Sequence, residues 1–374
     1  MDLKMLIVSW NLMECAPADG EIAELAKATG FDTGDIDIVV VGEQETKTKD
    51  AHVYIPQRLK ATRPPGDYCS GEGDPKKDGG DWGKSRQTAT ATVGSRVLTC
   101  GATWVGELKP PAGPDVRFLR EKVKGKRKGL VFYTAKGGCV LYMDIGNRRL
   151  AFVSCHLNDA STVKRDAEVA QILAEVKKSD ADAIFLFGDL NYRPRFLEDV
   201  KTKAPVPKDL KVGFEAGDLP DVFTTFANLH TLHAEHDVFG NKTAALVKEH
   251  GFTFPAPNFY PTYKRKTVGR GKLPDVMPTA PNVAACRAYY DVPTKGSVEG
   301  YTDTEGKPIP MQSAGEVKKA RYGEYAVGWL DRVGYKMVKD VAIKDVKFAA
   351  CPNLGKSDHA PVYLRCALVL DPEK

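Results

Sequence analysis

Short apolar runs rich in β-branched residues recur along the chain, and most of them end on polar residues. They predict strands at Met5–Trp10, Ile36–Val41, Thr88–Cys100, Leu130–Thr134, Cys139–Ile145, Leu150–Cys155, Ala183–Phe187 and Val362–Leu370. Gly146-Asn147-Arg148-Arg149 is a hairpin signal between two of these runs, so antiparallel pairing is expected and a purely parallel sheet is disfavoured. Helical spacing of Val169, Leu173 and Val176 predicts a helix over Val163–Lys178, with Ser161 or Thr162 as its N-cap. Glu21–Thr29 and Lys242–His250 read as two further helices, each followed by a glycine, Gly30 and Gly251. Strands alternating with a few amphipathic helices predict sheets covered by helices.

Two stretches break the pattern. Residues 63–86 are rich in Gly, Pro, Asp and Lys, and residues 266–324 in Pro and Gly. Neither has the apolar content of an independent domain, so residues 1–374 are expected to form one domain carrying two loop insertions. A chain of 374 residues that is 42% hydrophobic can bury a large core. Its charged fraction of 28% and net charge of +5 exclude both a disordered chain and a strongly basic one. The apolar run at Met1–Trp10 is too short to span a membrane and lacks the pattern of a secretion signal; no other run is long enough to span. The eight cysteines are scattered without a Cys-x-x-Cys pair. Cys139, Cys155 and Cys366 fall inside strand-like runs, where buried, reduced thiols are expected. The expectation is a soluble, cytoplasmic protein.

The chemistry lies where the strands stop. Ser9-Trp10-Asn11, Gly42-Glu43-Gln44-Glu45, Ser154-Cys155-His156-Leu157-Asn158 and Gly188-Asp189-Leu190-Asn191 each follow a strand, and Ser357-Asp358-His359 precedes the last one. Taken singly, each has an ordinary reading. Asn11 can start a turn, Glu45 can be a solvated charge and His156 a hydrogen-bonded core histidine. Asp189 and Asn191 can make an Asx turn, Asp358 can cap a turn, and His359 can lie exposed. Carboxylates, amides and histidines coinciding at five strand ends instead predict one rim, where loops build a site on a rigid scaffold. Carboxylate and amide oxygens suit Mg²⁺, whereas the His₃ or Cys-rich spacing of a zinc site is absent.

This ordered set resembles the endonuclease/exonuclease/phosphatase superfamily, with Gly-Asp-x-Asn at 188–191 and Ser-Asp-His at 357–359. The resemblance implies a DNase-I-like α/β fold, a four-layer sandwich of two mixed, largely antiparallel β-sheets flanked by helices. Within the superfamily the chain looks most like the inositol polyphosphate 5-phosphatases. Asp189-Leu190-Asn191-Tyr192-Arg193 matches that family's Asp-x-Asn-Tyr-Arg, and Pro261-Thr262-Tyr263-Lys264 matches its Pro-Thr-Tyr-Lys. Trp329-Leu330-Asp331-Arg332-Val333 is similar to its Trp-Cys-Asp-Arg-Ile/Leu, and Lys136-Gly137 falls where the family has Asn-Lys-Gly.

That resemblance also implies an activity and a role for each residue. The activity would be Mg²⁺-dependent removal of the 5-phosphate from soluble inositol polyphosphates, phosphoinositide headgroups, or both. One Mg²⁺ would be held by Glu45, with Asn11 and Asp358 close to it directly or through water. Asp189 would orient or deprotonate the attacking water, and Asn191 would fix Asp189 and a phosphate oxygen. His359, oriented by Asp331, and His156 would contact the scissile phosphate. Lys136, Arg193, Tyr263, Lys264 and Arg332 would bind substrate, with Tyr263 and Lys264 on the neighbouring ring phosphate.

The departures bear on substrate preference. The family's Lys-x-Arg-x-Pro before the tryptophan has Gly323 and Tyr325 at its two basic positions, with Lys318, Lys319 or Arg321 as candidate substitutes. A second family histidine is Ala160 here, and the Asn before Lys136 is Ala135. Arg117–Lys128 is crowded with basic residues and reads as a solvated loop or hairpin tip, or as a peripheral contact for anionic lipid headgroups. Two other functions compete. A nuclease of the same fold would need a basic groove along a phosphate backbone, and the modest charge and Pro-Thr-Tyr-Lys argue against nucleic acid. A catalytically silent binding protein has no need to keep Asn11, Glu45, His156, Asp189, Asn191, Asp331, Asp358 and His359 together.

Overall fold

The computed structural model describes residues 2–13, 15–33, 36–45, 100–108, 116–124, 137–145, 147–158, 162–192, 229–265 and 328–370, with short pieces at 55, 69–70, 91–93, 96–98, 267 and 289–290. In chain order the elements are β1 (Asp2–Asn11), α1 (Asp19–Thr29), β2 (Ile38–Gln44), β3 (Cys69–Ser70), β4 (Ala91–Val93), β5 (Arg96–Leu98), β6 (Cys100–Leu108), β7 (Val116–Lys124), β8 (Gly137–Ile145), β9 (Arg148–His156), α2 (Thr162–Lys177), β10 (Ala183–Asp189), α3 (Leu229–His236), α4 (Ala245–Lys248), β11 (Asp331–Met337), β12 (Val341–Ala350) and β13 (Val362–Leu370).

Strand alternation sends odd and even residues to opposite faces, and this sorts the apolar residues into three layers. One sheet runs β12-β13-β1-β2-β6-β3 and the other β11-β10-β9-β8-β7, while among the described residues β4 and β5 pair with each other alone. Met5, Ile7, Ile38, Val40, Leu364 and Leu368 from the first sheet meet Phe152, Phe185, Phe187 and Val333 from the second in the central core. Leu6, Val8, Val39 and Val41 face the other way and bury Ile22, Leu25 and Ala26 of α1. Val140, Val153 and Leu186 likewise bury Val169, Ile172 and Val176 of α2. The result is helix, sheet, sheet, helix, as the resemblance implies. Among the described strands, β1–β2 and β9–β10 pair in parallel and the remaining neighbours antiparallel.

Several elements depart from expectation for identifiable reasons. The stretch expected as one strand over 88–100 holds two short strands instead, β4 and β5, paired antiparallel from Ala91↔Leu98 to Val93↔Arg96. The Lys242–His250 helix shrinks to α4, because Asn241 takes the Thr243 amide at 3.2 Å and Asp237 takes the Phe239 and Gly240 amides at 3.2 and 3.1 Å. Short polar side chains compete there with the helical ladder. The basic run from Arg117 is a strand rather than a loop through Lys124, paired with β8 from Val116↔Ile145 to Lys124↔Gly137. It lies at a sheet edge, where charges discourage further pairing. Its side chains lie outside the described residues, as do the expected strand at Leu130–Thr134 and most of both insertions. Cys155 and Cys366 are buried and free of disulfides, as expected. No described helix is long and apolar enough to cross a membrane.

The same alternation corrects one site assignment. Asp331 and Arg332 are consecutive on β11, so they point to opposite faces. Arg332 is buried on the outer face, paired with Asp237 at 2.6 Å and donating its Nε to Trp329 O at 2.7 Å. It therefore points away from the face that carries Asp331 and Asp189. His233 on α3 completes the cluster, with Nε2 3.4 Å from Asp237 and its ring edge-on to Trp329. Burial, then the Arg332 charge, pushes the His233 pKa down to about 4 despite Asp237.

A depressed histidine pKa means that the unfolded chain takes up the proton first as pH falls. This cluster therefore weakens the fold as pH drops from 6.5 toward 4, by at most about 3 kcal/mol. His233→Phe keeps a ring against Trp329 but cannot titrate. Denaturant midpoints measured across that range should fall less steeply in the variant than in the parent protein. Equal slopes would exclude His233 as the source.

Candidate active site

The central core turns polar at one end, and the strand registers dictate which side chains meet there. Along the inward faces run Met5-Ile7-Ser9-Asn11 on β1, Ile38-Val40-Gly42-Gln44 on β2, Phe152-Ser154-His156 on β9, and Phe185-Phe187-Asp189 on β10. Each stripe begins apolar and ends polar. Parallel pairing of β9 with β10 sets His156 opposite Asp189, and antiparallel pairing of β10 with β11 sets Asp331 opposite Asp189. Across the sandwich, β1 and β2 pair in parallel, with Asn11 opposite Gln44. A belt from Ser9 through Gln44 Nε2 to Ser154 Oγ, at 3.4 and 3.3 Å, separates this polar end from the apolar core.

Two glycines let the backbones come this close. A Cβ on Gly42 would sit 2.4 Å from the Phe187 ring, so a side chain there would push the sheets apart. Gly188 has φ +136°, and a Cβ on it would lie 1.9 Å from the Cys155 carbonyl oxygen. Only glycine fits immediately before Asp189.

Asp189 is the hub. Its Oδ2 accepts from Asn11 Nδ2 at 3.0 Å, and its Oδ1 accepts the Asn191 amide at 3.1 Å. His156 Nε2 lies 3.4 Å from Asp189 and 3.6 Å from Glu45. His359 Nε2 lies 3.9 Å from Asp189 and 4.0 Å from Asp358. His359 Nδ1 shares a 2.9 Å hydrogen bond with Asp331 Oδ2, which also accepts from Thr262 Oγ1 at 2.7 Å. The Tyr263 ring packs on the His359 ring, centroids 4.5 Å apart. Asn11, Glu45, His156, Asp189, Asp331, Asp358 and His359 thus form one contiguous cluster, with Asn191 and Tyr263 attached to it and Lys264 next to Tyr263 in the chain. The Asn191 side chain donates to Leu157 O at 3.0 Å, a contact that braces the strand end. Lys136 and Arg193 lie outside the described residues.

Burial is the largest single influence on His359 and pulls its pKa down. The charges of Asp331, Asp189 and Asp358 and the Asp331 hydrogen bond together outweigh it, and the pKa is pushed up to about 9. At neutral pH this ring is an imidazolium, able to donate to an anion.

The donor set also suits a divalent cation. Asp189, Asp331 and His359 offer ligand atoms within 4.8 Å of one another. Asp331 Oδ2 and His359 Nδ1 are spent on each other, however, which leaves Glu45 and Asp358, with Asn11, as oxygen donors for a divalent cation.

These features coincide with a family match. The model for "Endonuclease/Exonuclease/phosphatase family 2" matches residues 84–270, half of the chain. The chain belongs to the endonuclease/exonuclease/phosphatase family. Its fold is similar to the inositol polyphosphate 5-phosphatase domain of SPsynaptojanin, solved with inositol (1,4)-bisphosphate and calcium ion. That likeness has a TM-score of 0.53 and 19% identity, over 99% of this chain and 86% of that one. It is also similar to Cimex nitrophorin in a ferrous NO complex, with a TM-score of 0.50 and 17% identity over 99% of each chain. Both likenesses concern the fold. No curated protein matches the chain.

Reasoning from sequence missed the residues that hold the family's site together. Thr262 lies inside the Pro-Thr-Tyr-Lys element, and its hydroxyl next to a motif residue was the only available signal. Ser357 donates to Asn11 O at 2.5 Å and accepts the His359 amide at 3.1 Å, so it serves the Ser-Asp-His turn rather than the reaction. Trp10 Nε1 donates to His359 O at 3.1 Å, and Glu21 accepts the Lys356 amide at 3.0 Å. Neither residue differs in sequence from an ordinary core aromatic or helix-start acid.

Asp331→Asn removes the charge that keeps His359 protonated. The His359 pKa, followed by imidazole NMR in metal-free protein, should fall from about 9 by about a unit or more. A pKa that stays at its parent value would rule out Asp331 as the partner.

Proposed function

We propose that the protein is a divalent-cation-dependent phosphatase that removes a ring phosphate, the 5-phosphate, from inositol polyphosphates or phosphoinositide headgroups. The observation that carries this reading is the row His156, Asp189 and Asp331 on three adjacent strands, closed over by His359 and Tyr263. A phosphomonoester dianion repels nucleophiles, so hydrolysis needs a positioned water and neutralised charge. When bound, the cation supplies charge neutralisation at the phosphoryl and leaving oxygens. Glu45 would hold it, with Asn11 and Asp358 close to it directly or through water.

The chain's own groups fit the remaining steps. Asp189, fixed through both oxygens, orients the water and accepts its proton as the oxygen adds to phosphorus. The bond between phosphorus and the ring oxygen breaks in that step, and the leaving oxygen takes a proton from solvent. His359 as imidazolium, held by Asp331, donates to a phosphoryl oxygen, and His156 donates to another. Tyr263 and Lys264 would meet a neighbouring ring phosphate, one as a directional donor and the other as a mobile charge. This part of the reading supports an inositol substrate over a nucleic acid backbone.

Phosphate release should be assayed with Mg²⁺ across inositol phosphates, phosphoinositide vesicles and abasic DNA. Inositol substrates should be hydrolysed and EDTA should abolish the activity. Asp189→Ala and His359→Ala should each lower kcat by about 10²–10⁴-fold. Cleavage confined to DNA would replace the proposal with a nuclease, and no turnover of any substrate would leave a silent binding protein.

A further inference from the structure

His359 and Asp358 sit on residues 351–361, which link β12 to β13 without regular secondary structure. A loop can hold an imidazole to within a hydrogen bond only if its own backbone is pinned. Beside Ser357, Trp10 and Glu21, the residue that pins most of its carbonyls is Arg265, which follows Pro-Thr-Tyr-Lys and is 1% exposed. Its backbone amide donates to Asp358 O at 2.9 Å. Its Nη2 donates to Leu354 O, Ser357 O and His359 O at 2.8, 3.0 and 2.5 Å. Its Nη1 donates to Pro352 O at 2.8 Å and to Tyr289 Oη at 2.6 Å. Tyr289, from within the 266–324 stretch, packs its ring under the guanidinium at 5.5 Å and also donates to Pro352 O.

None of these partners is a carboxylate, so among the described residues this buried cation is balanced by carbonyl and hydroxyl dipoles. Burying a charge in that way costs several kcal/mol relative to an apolar side chain of similar size. Such a group is poorly suited to stabilising a fold and well suited to fixing one loop geometry. The planar fork of guanidinium donors can reach four carbonyls and a hydroxyl at once, which a lysine ammonium cannot.

We propose that Arg265 and Tyr289 are positioning residues that hold the 352–359 loop so that His359 and Asp358 face Asp189. Tyr289 thereby gives one residue of the 266–324 stretch a part in supporting the site. The effect on turnover rests on the phosphatase reading, whereas the effect on the loop does not.

The test uses the full chain carrying Arg265→Lys or Tyr289→Phe. Arg265→Lys keeps the charge but loses the fork, so kcat should fall about 100-fold with KM within about threefold, because a small misplacement near the reacting groups costs that much. Tyr289→Phe should lower kcat about tenfold, again with little change in KM. Amide hydrogen exchange should speed up at residues 357–360 and stay unchanged in β9 and β10. Unchanged exchange at 357–360 in both variants would overturn the proposal, as would acceleration spread evenly over β9 and β10, the mark of general destabilisation. If Arg265→Lys fails to fold, Tyr289→Phe decides on the same readouts. If the parent protein releases no phosphate, the phosphatase reading fails alone, and the exchange pattern still decides the role of Arg265.

Discussion

The site depends on strand register before it depends on any catalytic group. His156, Asp189 and Asp331 meet because β9, β10 and β11 pair with these three residues in one row. A slip of one residue in β10 would turn Asp189 outward and bring Leu190 or Gly188 into its place. The apolar stripes forbid such a slip, since Phe185 and Phe187 would leave the core together. Burial of an aromatic side chain contributes about 1.5–3 kcal/mol, so the hydrophobic core enforces the geometry of the polar end. Gly188 adds a local lock, because no other residue tolerates its contact with Cys155.

The row brings with it a concentration of negative charge that must be balanced. Asp189, Asp331, Asp358 and Glu45 converge on two imidazoles. The two buried arginines nearest in sequence to these motifs direct their charge elsewhere. Arg332, next to Asp331, spends its charge on Asp237 on the other face of the sheet. Arg265 spends its charge on carbonyls. What remains is a cluster of carboxylates with a protonated histidine beside it. That distribution suits a cation and an anionic substrate bound together, each offsetting the other's desolvation. It suits neither ligand alone as well.

Much of this was legible in the sequence because the signal was repeated. Apolar runs ending on Asn, Glu, His and Asp occur at four strand ends, so position and type reinforced each other without any view of the contacts. The strands expected to end at Trp10, Cys155 and Phe187 run on by one or two residues, so that Asn11, His156 and Asp189 are their last residues. Weaker signals failed where tertiary context decides. β12 and β7 lie at sheet edges and carry lysines in place of continuous apolar runs, so periodicity alone did not reveal them. β11 begins with the charged pair Asp331-Arg332, which hid a strand inside what read as a motif. Strand alternation would have assigned the two residues to opposite faces had the strand been recognised. The pin at Arg265 was hidden differently, as one basic residue within Lys264-Arg265-Lys266, with nothing local to show that it is buried.

The two buried arginines show why burial alone does not define a role. Arg332 has an ion-pair partner in Asp237 and lies over Phe239 and Trp329, so its interactions join α3 to β11 and stay behind the site. Removing either charge of that pair strands the other, which destabilises the whole fold. Arg265 has no such partner to strand among the described residues. Its loss takes the shared donor from the carbonyls at 352, 354, 357 and 359, all of them on one loop. The damage should therefore stay local, at the residues that present His359. A buried cation held by a carboxylate supports the fold, whereas one held by the carbonyls of a single loop sets that loop's shape.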